Sequence, residues 1–279
     1  MSSSSRRGFL REIVQAAARA ALPDEQPVRE SRLPLLSEEE MTRYSRQLLL
    51  PEWTELAQVA LRDASVLVVG AGALGSPVAL YLAGAGVGRL GIADSDVVEV
   101  SNLHRQPLHF TPDLGVPKVE SAAAKLRFLN PDVLVETYQV RLDEDNAAGL
   151  VEGQDLVVDC SDSFETRYAV NAACCAAGIN LVEGGAVGWN GMVMGIRPGV
   201  SACYRCAFPE PPREAASCAS AGIVGPAAGV VGSLQALEAL KFLTGAAYPL
   251  TDAFVSVDLA TLEVLRVKTR RRTDCPDCG

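Results

Sequence analysis

Four cysteines stand in two tight pairs, Cys203-x-x-Cys206 and Cys275-x-x-Cys278. With only two histidines in the chain, a metal held by these pairs takes an all-sulfur ligand set. Four thiolates on two short turns suit tetrahedral zinc. An iron–sulfur centre also uses thiolates, and two such turns can arise as free thiols or a disulfide. Paired knuckles split between distant segments nevertheless read as a structural zinc ribbon. The fold must then bring the last residues of the chain back against its middle.

A second cluster of chemistry lies upstream. Gly70-Ala71-Gly72-Ala73-Leu74-Gly75 follows the apolar, β-branched run Ser65-Val66-Leu67-Val68-Val69. Glycines let a backbone approach a phosphate, and a helix that follows aims free N–H groups and a positive dipole end at the anion. Gly70, Gly72 and Gly75 are therefore the candidate phosphate loop. Asp94, nineteen residues past Gly75, closes the next apolar run, where a carboxylate binds a ribose hydroxyl. This much fits any adenine nucleotide and does not separate NAD from ATP.

The segment from Asp94 through Asp96 to Gln106 is too polar to be core. Arg105 offers a planar fork for phosphate oxygens, Asn102 and Gln106 offer amide donors, and Lys118 adds a point charge. Several positively tipped donors near one loop suit a triphosphate whose charge grows during reaction better than a pyrophosphate that only binds.

The elements that position these groups alternate. Helix signals run from the glycine loop to about Ala85, then over Lys118–Leu129 and Glu165–Ala177. Strand signals cover Ser65–Val69, Arg89–Ala93, Leu156–Asp159 and Asn180–Glu183. Such alternation predicts an α/β, Rossmann-like fold with a mainly parallel sheet between helices. After Gly191 the pattern changes to hairpins, with Phe254–Val257 and Glu263–Val267 joined at Ala260-Thr261, so the sheet is expected to be mixed and its C-terminal strands antiparallel. A further helix is expected to start near Pro226. Cys160, Cys174 and Cys175 sit in apolar runs and read as core thiols.

Composition narrows the classes. A net charge of -9 argues against a nucleic-acid surface, which needs clustered Lys and Arg, and the one basic run, Arg266 to Arg272, reads as a solvated edge. Eight cysteines are too sparse in 279 residues for a disulfide scaffold, which points to a reducing cytoplasm. No stretch reads as membrane-spanning, since the apolar segment from Ala227 to Leu243 carries Gln235, Glu238 and Lys241. Arg6-Arg7 near the start resembles an export signal, but Arg11, Glu12 and Arg19 follow where such a signal is uncharged. Residues 9–22 are read instead as an amphipathic helix and 23–34 as a linker, giving an N-terminal extension over 1–36 and one domain over 37–279.

In order along the chain stand Arg43-Tyr44-Ser45-Arg46-Gln47, Gly70-x-Gly-x-x-Gly75, Asp94-x-Asp96, Ser101-Asn102-Leu103-x-Arg105-Gln106 and Gly115-x-Pro-Lys118. Asp159-Cys-Ser-Asp162 and the two cysteine knuckles follow. In this order the chain resembles the ubiquitin-activating-enzyme-like adenylyltransferases of the MoeB, ThiF and HesA group. The resemblance implies ATP-dependent adenylation of the C-terminal Gly-Gly carboxylate of a small ubiquitin-like sulfur-carrier protein, with loss of pyrophosphate, ahead of thiocarboxylate formation. It further implies that Asp94 holds the ribose and that Asn102, Arg105, Gln106 and Lys118 hold the phosphates. Asp162 is implied to bind magnesium, and Arg46 to reach into the other subunit of a homodimer. Cys218 matches a cysteine that forms a covalent link to the carrier in ThiF-like members and is dispensable in MoeB-like ones. Where the family carries an amide after the metal-binding aspartate, this chain has Ser163. The chain stops one residue after Cys278, so the sulfur donor is expected to be a separate sulfurtransferase. The readings weighed against this are an NAD-dependent oxidoreductase and a non-catalytic scaffold that binds a ubiquitin-fold protein.

Overall fold

The computed structural model describes residues 35–211 and 222–279. The expected N-terminal helix and Cys218 lie outside them. Two helices open the described part, α1 (Glu38–Arg43) and α2 (Glu55–Asp63), each started by a side chain that accepts from an orphan backbone N–H: Ser37 from Glu40 N and Thr54 from Ala57 N. Next come β1 (Ser65–Val69), α3 (Gly75–Ala85), β2 (Arg89–Ala93), α4 (Lys118–Leu129), β3 (Leu134–Tyr138), α5 (Ala147–Val151) and β4 (Leu156–Asp159). The remainder is α6 (Phe164–Ala177), β5 (Asn180–Val187), β6 (Asn190–Ile196), α7 (Tyr204–Ala207), α8 (Gly225–Thr244), β7 (Ala253–Asp258) and β8 (Glu263–Lys268).

The strands form one sheet in the order β3-β2-β1-β4-β5-β6-β7-β8. The first five are parallel and the last three pair antiparallel, which is the expected mixed sheet. Every residue of β1 and β4 is buried, because helices cover both faces. Fully burying one of these Val or Leu side chains contributes about 1.5–3 kcal/mol. One core cluster packs α3, α4 and α8 against Val66, Val68 and Val158. The other packs α6, the cysteine knuckles and Tyr204 against Leu67, Val157 and Leu181.

Adjacent β1 and β4 are reached by chain running in opposite lateral directions, toward β2 and β3 on one side and β5 on the other. In an open parallel sheet this switch leaves a crevice beyond the strands' C-terminal ends. Glycines inside β6 serve packing. A Cβ on Gly191 would lie 2.1 Å from Val231 Cγ2, and one on Gly195 would lie 2.5 Å from Leu250 O. Among the described residues, no helix is long and apolar enough to cross a membrane.

Candidate functional site

The crevice is a cleft of about 580 Å³ at the C-terminal ends of β1, β2 and β4. Its glycine loop is shaped by two contacts. Gly70 has φ 93°, in the left-handed region. A Cβ on Gly75 would sit 1.8 Å from the Gly70 carbonyl oxygen, so only glycine lets the first turn of α3 close on the strand end. Gly72 faces the cleft instead, and a Cβ there would meet only Gln106 Nε2, at 3.7 Å.

Asp94 is tied into the same loop. Its Oδ2 accepts from Ala71 N at 2.8 Å and its Oδ1 from Asp96 N at 2.8 Å. Burial pushes its carboxyl above the ordinary value, opposed by the Lys118 charge. Lys118, the first residue of α4, is itself buried and donates to Asp96 Oδ2 at 2.8 Å. Asp96 stays largely exposed, so this ion pair draws the ammonium toward the cleft without enclosing it.

The polar segment is less solvated than its composition suggested, because Asn102 and Gln106 are both buried. Asn102 Oδ1 accepts from Glu99 N at 3.0 Å, closing a short 3-10 turn over Val100–Asn102. Gln106 Oε1 has no hydrogen-bond partner and lies at the cleft wall. Arg105 is partly exposed, its Nη1 donating to Ser101 O at 2.7 Å. At the end of β4, Asp162 lies exposed on the cleft wall. Ser163 Oγ accepts from Thr166 N at 3.1 Å as the N-cap of α6, which gives the hydroxyl at that position a structural task.

The cleft thus brings together Gly70, Gly72, Asp94, Asp96, Asn102, Arg105, Gln106, Lys118 and Asp162. Gly75 supports the loop from behind. Arg46 is exposed and lies outside the cleft of its own chain. The reading of the sequence missed His109. It is buried, with Nε2 2.8 Å from the Ala71 carbonyl and Nδ1 2.8 Å from Ser121 Oγ. A carbonyl can only accept, so Nε2 carries the proton and the ring braces the glycine loop as a neutral imidazole. Burial lowers its pKa below the ordinary 6.5. Arg167 and Glu183 were missed as well. Arg167 lines the cleft floor and pairs with the fully buried Glu183 at 3.2 Å. A lone Arg in a largely apolar helix was the available signal.

Away from the cleft, the Sγ atoms of Cys203, Cys206, Cys275 and Cys278 all lie within 4.8 Å of one another. Individual pairs are 3.4–3.8 Å apart. Zinc–sulfur bonds of about 2.3 Å in a tetrahedron need Sγ atoms about 3.8 Å apart, so the group fits zinc. The surroundings orient it. Arg272 N lies 3.3 Å from Cys206 Sγ, and Asp277 Oδ2 accepts from Asn171 Nδ2 at 2.6 Å and from Arg205 Nε at 2.9 Å. Arg271 reaches the Cys278 carbonyl, so the basic run serves the second knuckle as well as the exposed edge strand β8. Cys160 and Cys174 are buried thiols, as expected, and burial raises both pKa values. Cys175 is only half-buried and sits beside Cys203, a departure from the core reading.

Residues 44–277 match the profile of the ThiF family. A sulfur carrier protein adenylyltransferase of Thermus thermophilus is 46% identical over 250 residues, covering 87% of this chain and 92% of that protein. The SAMP-activating enzyme E1 of Haloferax volcanii is 43% identical over 242 residues, covering 86% and 89%. The adenylyltransferase and sulfurtransferase MOCS3 of Mus musculus is 46% identical over 273 residues, covering 95% of this chain and 59% of its own length. The chain therefore spans little more than half of the MOCS3 relatives it matches. Among solved structures, E. coli MccB with ATP superposes with a TM-score of 0.77 at 24% identity over 85% of this chain and 74% of that one, a likeness of fold.

Proposed function

Because the chain belongs to the ThiF family, we propose that it adenylates the C-terminal Gly-Gly carboxylate of a small ubiquitin-like sulfur-carrier protein with ATP. The observation that carries this reading is the convergence of the glycine loop, Asp94, Arg105, Lys118 and Asp162 on one cleft at the sheet's switch point. In the proposed step a carboxylate oxygen of the carrier attacks the α-phosphorus. The bond from that phosphorus to its bridging oxygen breaks, and pyrophosphate leaves with the electron pair. No proton need move, so the chain contributes position and charge.

Gly72 leaves room for the phosphates against the N-terminal turn of α3, and Asp94 offers remaining lone pairs to a ribose hydroxyl. Arg105, Lys118 and the amides of Asn102 and Gln106 are the groups placed to answer charge on the phosphoryl oxygens. Asp162, a hard, exposed carboxylate at a strand end, would hold magnesium, which neutralises phosphate charge when bound. The four knuckle cysteines would hold zinc in a structural role. We further propose a homodimer in which Arg46 serves the partner subunit's cleft, with residues 37–279 as the catalytic domain and 1–36 as an extension. Free, metal-suited cysteines support a reducing, cytoplasmic setting. A sulfurtransferase is proposed to act on the adenylated carrier, and Cys218 is a candidate for a covalent link to the carrier.

Incubating the zinc-loaded protein with magnesium, ATP and a ubiquitin-fold protein ending in Gly-Gly should give a carrier whose mass has grown by one adenylyl group, AMP less water. An unmodified carrier with no pyrophosphate released, across a panel of such proteins, would reject the reading.

A further inference from the structure

Asp159 and Glu183 are register partners on the adjacent parallel strands β4 and β5, so their side chains leave the same face of the sheet side by side. Both are 0% exposed. The groups that face them come from every layer packed there: Arg167 and Cys174 from α6, Tyr204 from α7, and Cys160 and Ser161 on the strand's own continuation. Gln235 of α8, across the sheet, donates to the Asp159 carbonyl at 2.7 Å. Among these groups Arg167 is the cation. Its Nη1 lies 3.2 Å from Glu183 Oε1, and its Nη2 donates to the Ser161 carbonyl at 2.8 Å.

Two carboxylates against one guanidinium leave an uncompensated negative charge out of reach of water, the least tolerable arrangement in a protein interior. Asp159 Oδ1 is occupied by Ser161 N at 2.8 Å, whereas Asp159 Oδ2 and both Glu183 oxygens lack a well-aligned hydrogen-bond partner. One proton resolves both problems. It removes the excess charge and supplies the O–H that lets one carboxyl donate to the other. We propose that Asp159 and Glu183 hold a single proton between them and act, through Arg167, as a positioning pair for the Ser161–Asp162 turn at the cleft floor.

Burial and the neighbouring carboxylate push the Glu183 carboxyl upward, the direction a shared proton requires. If that proton leaves, Arg167 must answer two anions, and its bond to the Ser161 carbonyl, two atoms from the Asp162 amide, competes with them. The consequence for ATP rests on the adenylyltransferase reading, whereas the shared proton does not.

The two are therefore tested apart. With carbon-13 in the Asp and Glu carboxyls, infrared spectra of the whole protein at pH 8 should show a protonated-carboxyl band that shifts in heavy water and is lost in Glu183→Gln. Its absence from the wild type overturns the proposal whether or not the protein adenylates anything, and so does a band that survives unchanged in Glu183→Gln. In carrier-dependent exchange, the wild-type KM for ATP should rise severalfold across the pH range over which that band fades, while that of Glu183→Gln, which keeps its hydrogen and cannot ionise, stays level. Parallel profiles for the two proteins overturn the positioning role.

Discussion

Asp162 and His109 show two ways in which one side chain can serve the cleft. Asp162 is exposed on the cleft wall, so its contribution is to chemistry. Asp162→Asn should lower kcat/KM for adenylation by about two to three powers of ten and leave the melting temperature within a degree or two, as read by exchange kinetics and calorimetry. Unchanged kinetics would remove Asp162 from the metal role. His109 works from behind, through the Ala71 carbonyl. Because burial depresses its pKa, the unfolded chain takes up a proton that the folded chain refuses. The stability it contributes is complete above the ordinary value of 6.5 and is lost as pH falls from there through the lower folded value. His109→Gln, with an amide that can still donate to Ala71, should flatten that acid limb in melts followed between about pH 7 and 5. An unaltered limb would mean that another group carries it.

At the scale of elements, the knuckles are joined to the cleft through α6. Asn171 binds Asp277 of the second knuckle and the Tyr204 amide beside the first. Arg167, one turn earlier on the same helix, lines the cleft. Tyr204 and Phe208 then stack in a ladder between Tyr168 and Phe254, with centroids 5.0–5.5 Å apart. Zinc removal should therefore weaken ATP binding as well as stability. A chelator, Cys275→Ser and Cys278→Ser should each lower the melting temperature, and the double substitution should cost little more than either single one, since each frees the same ion. Additive losses with ATP affinity intact would uncouple the two sites. Four of the five parallel strands, the glycine loop and the knuckles were legible in the sequence because each rests on local pattern: a short apolar run, fixed glycine spacing, paired cysteines. Strand β3 was not, since Leu134-Val-Glu-Thr-Tyr138 is a half-exposed edge whose partner β2 lies far back in the chain. The burial of Asn102, Gln106 and Glu183 was equally hidden, because only tertiary packing seals polar side chains from water.

For the whole molecule, the proposed homodimer makes the cleft incomplete in one chain, with Arg46 supplied by its partner. Arg46→Ala and Asp162→Ala should each be nearly inactive alone. Mixed in equal amounts and allowed to exchange subunits, they should recover about a quarter of wild-type activity, since half of the dimers would carry one intact cleft. No recovery in a mixture shown to reassort would place Arg46 in its own chain's cleft. The central claim, formation of an acyl-adenylate in this cleft, is tested most directly by exchange of labelled pyrophosphate into ATP. With zinc-replete protein and magnesium, exchange should depend on a ubiquitin-fold protein ending in Gly-Gly and vanish when its last glycine is removed. Exchange that proceeds equally without a carrier, or fails with every carrier in protein that still binds ATP, would contradict it.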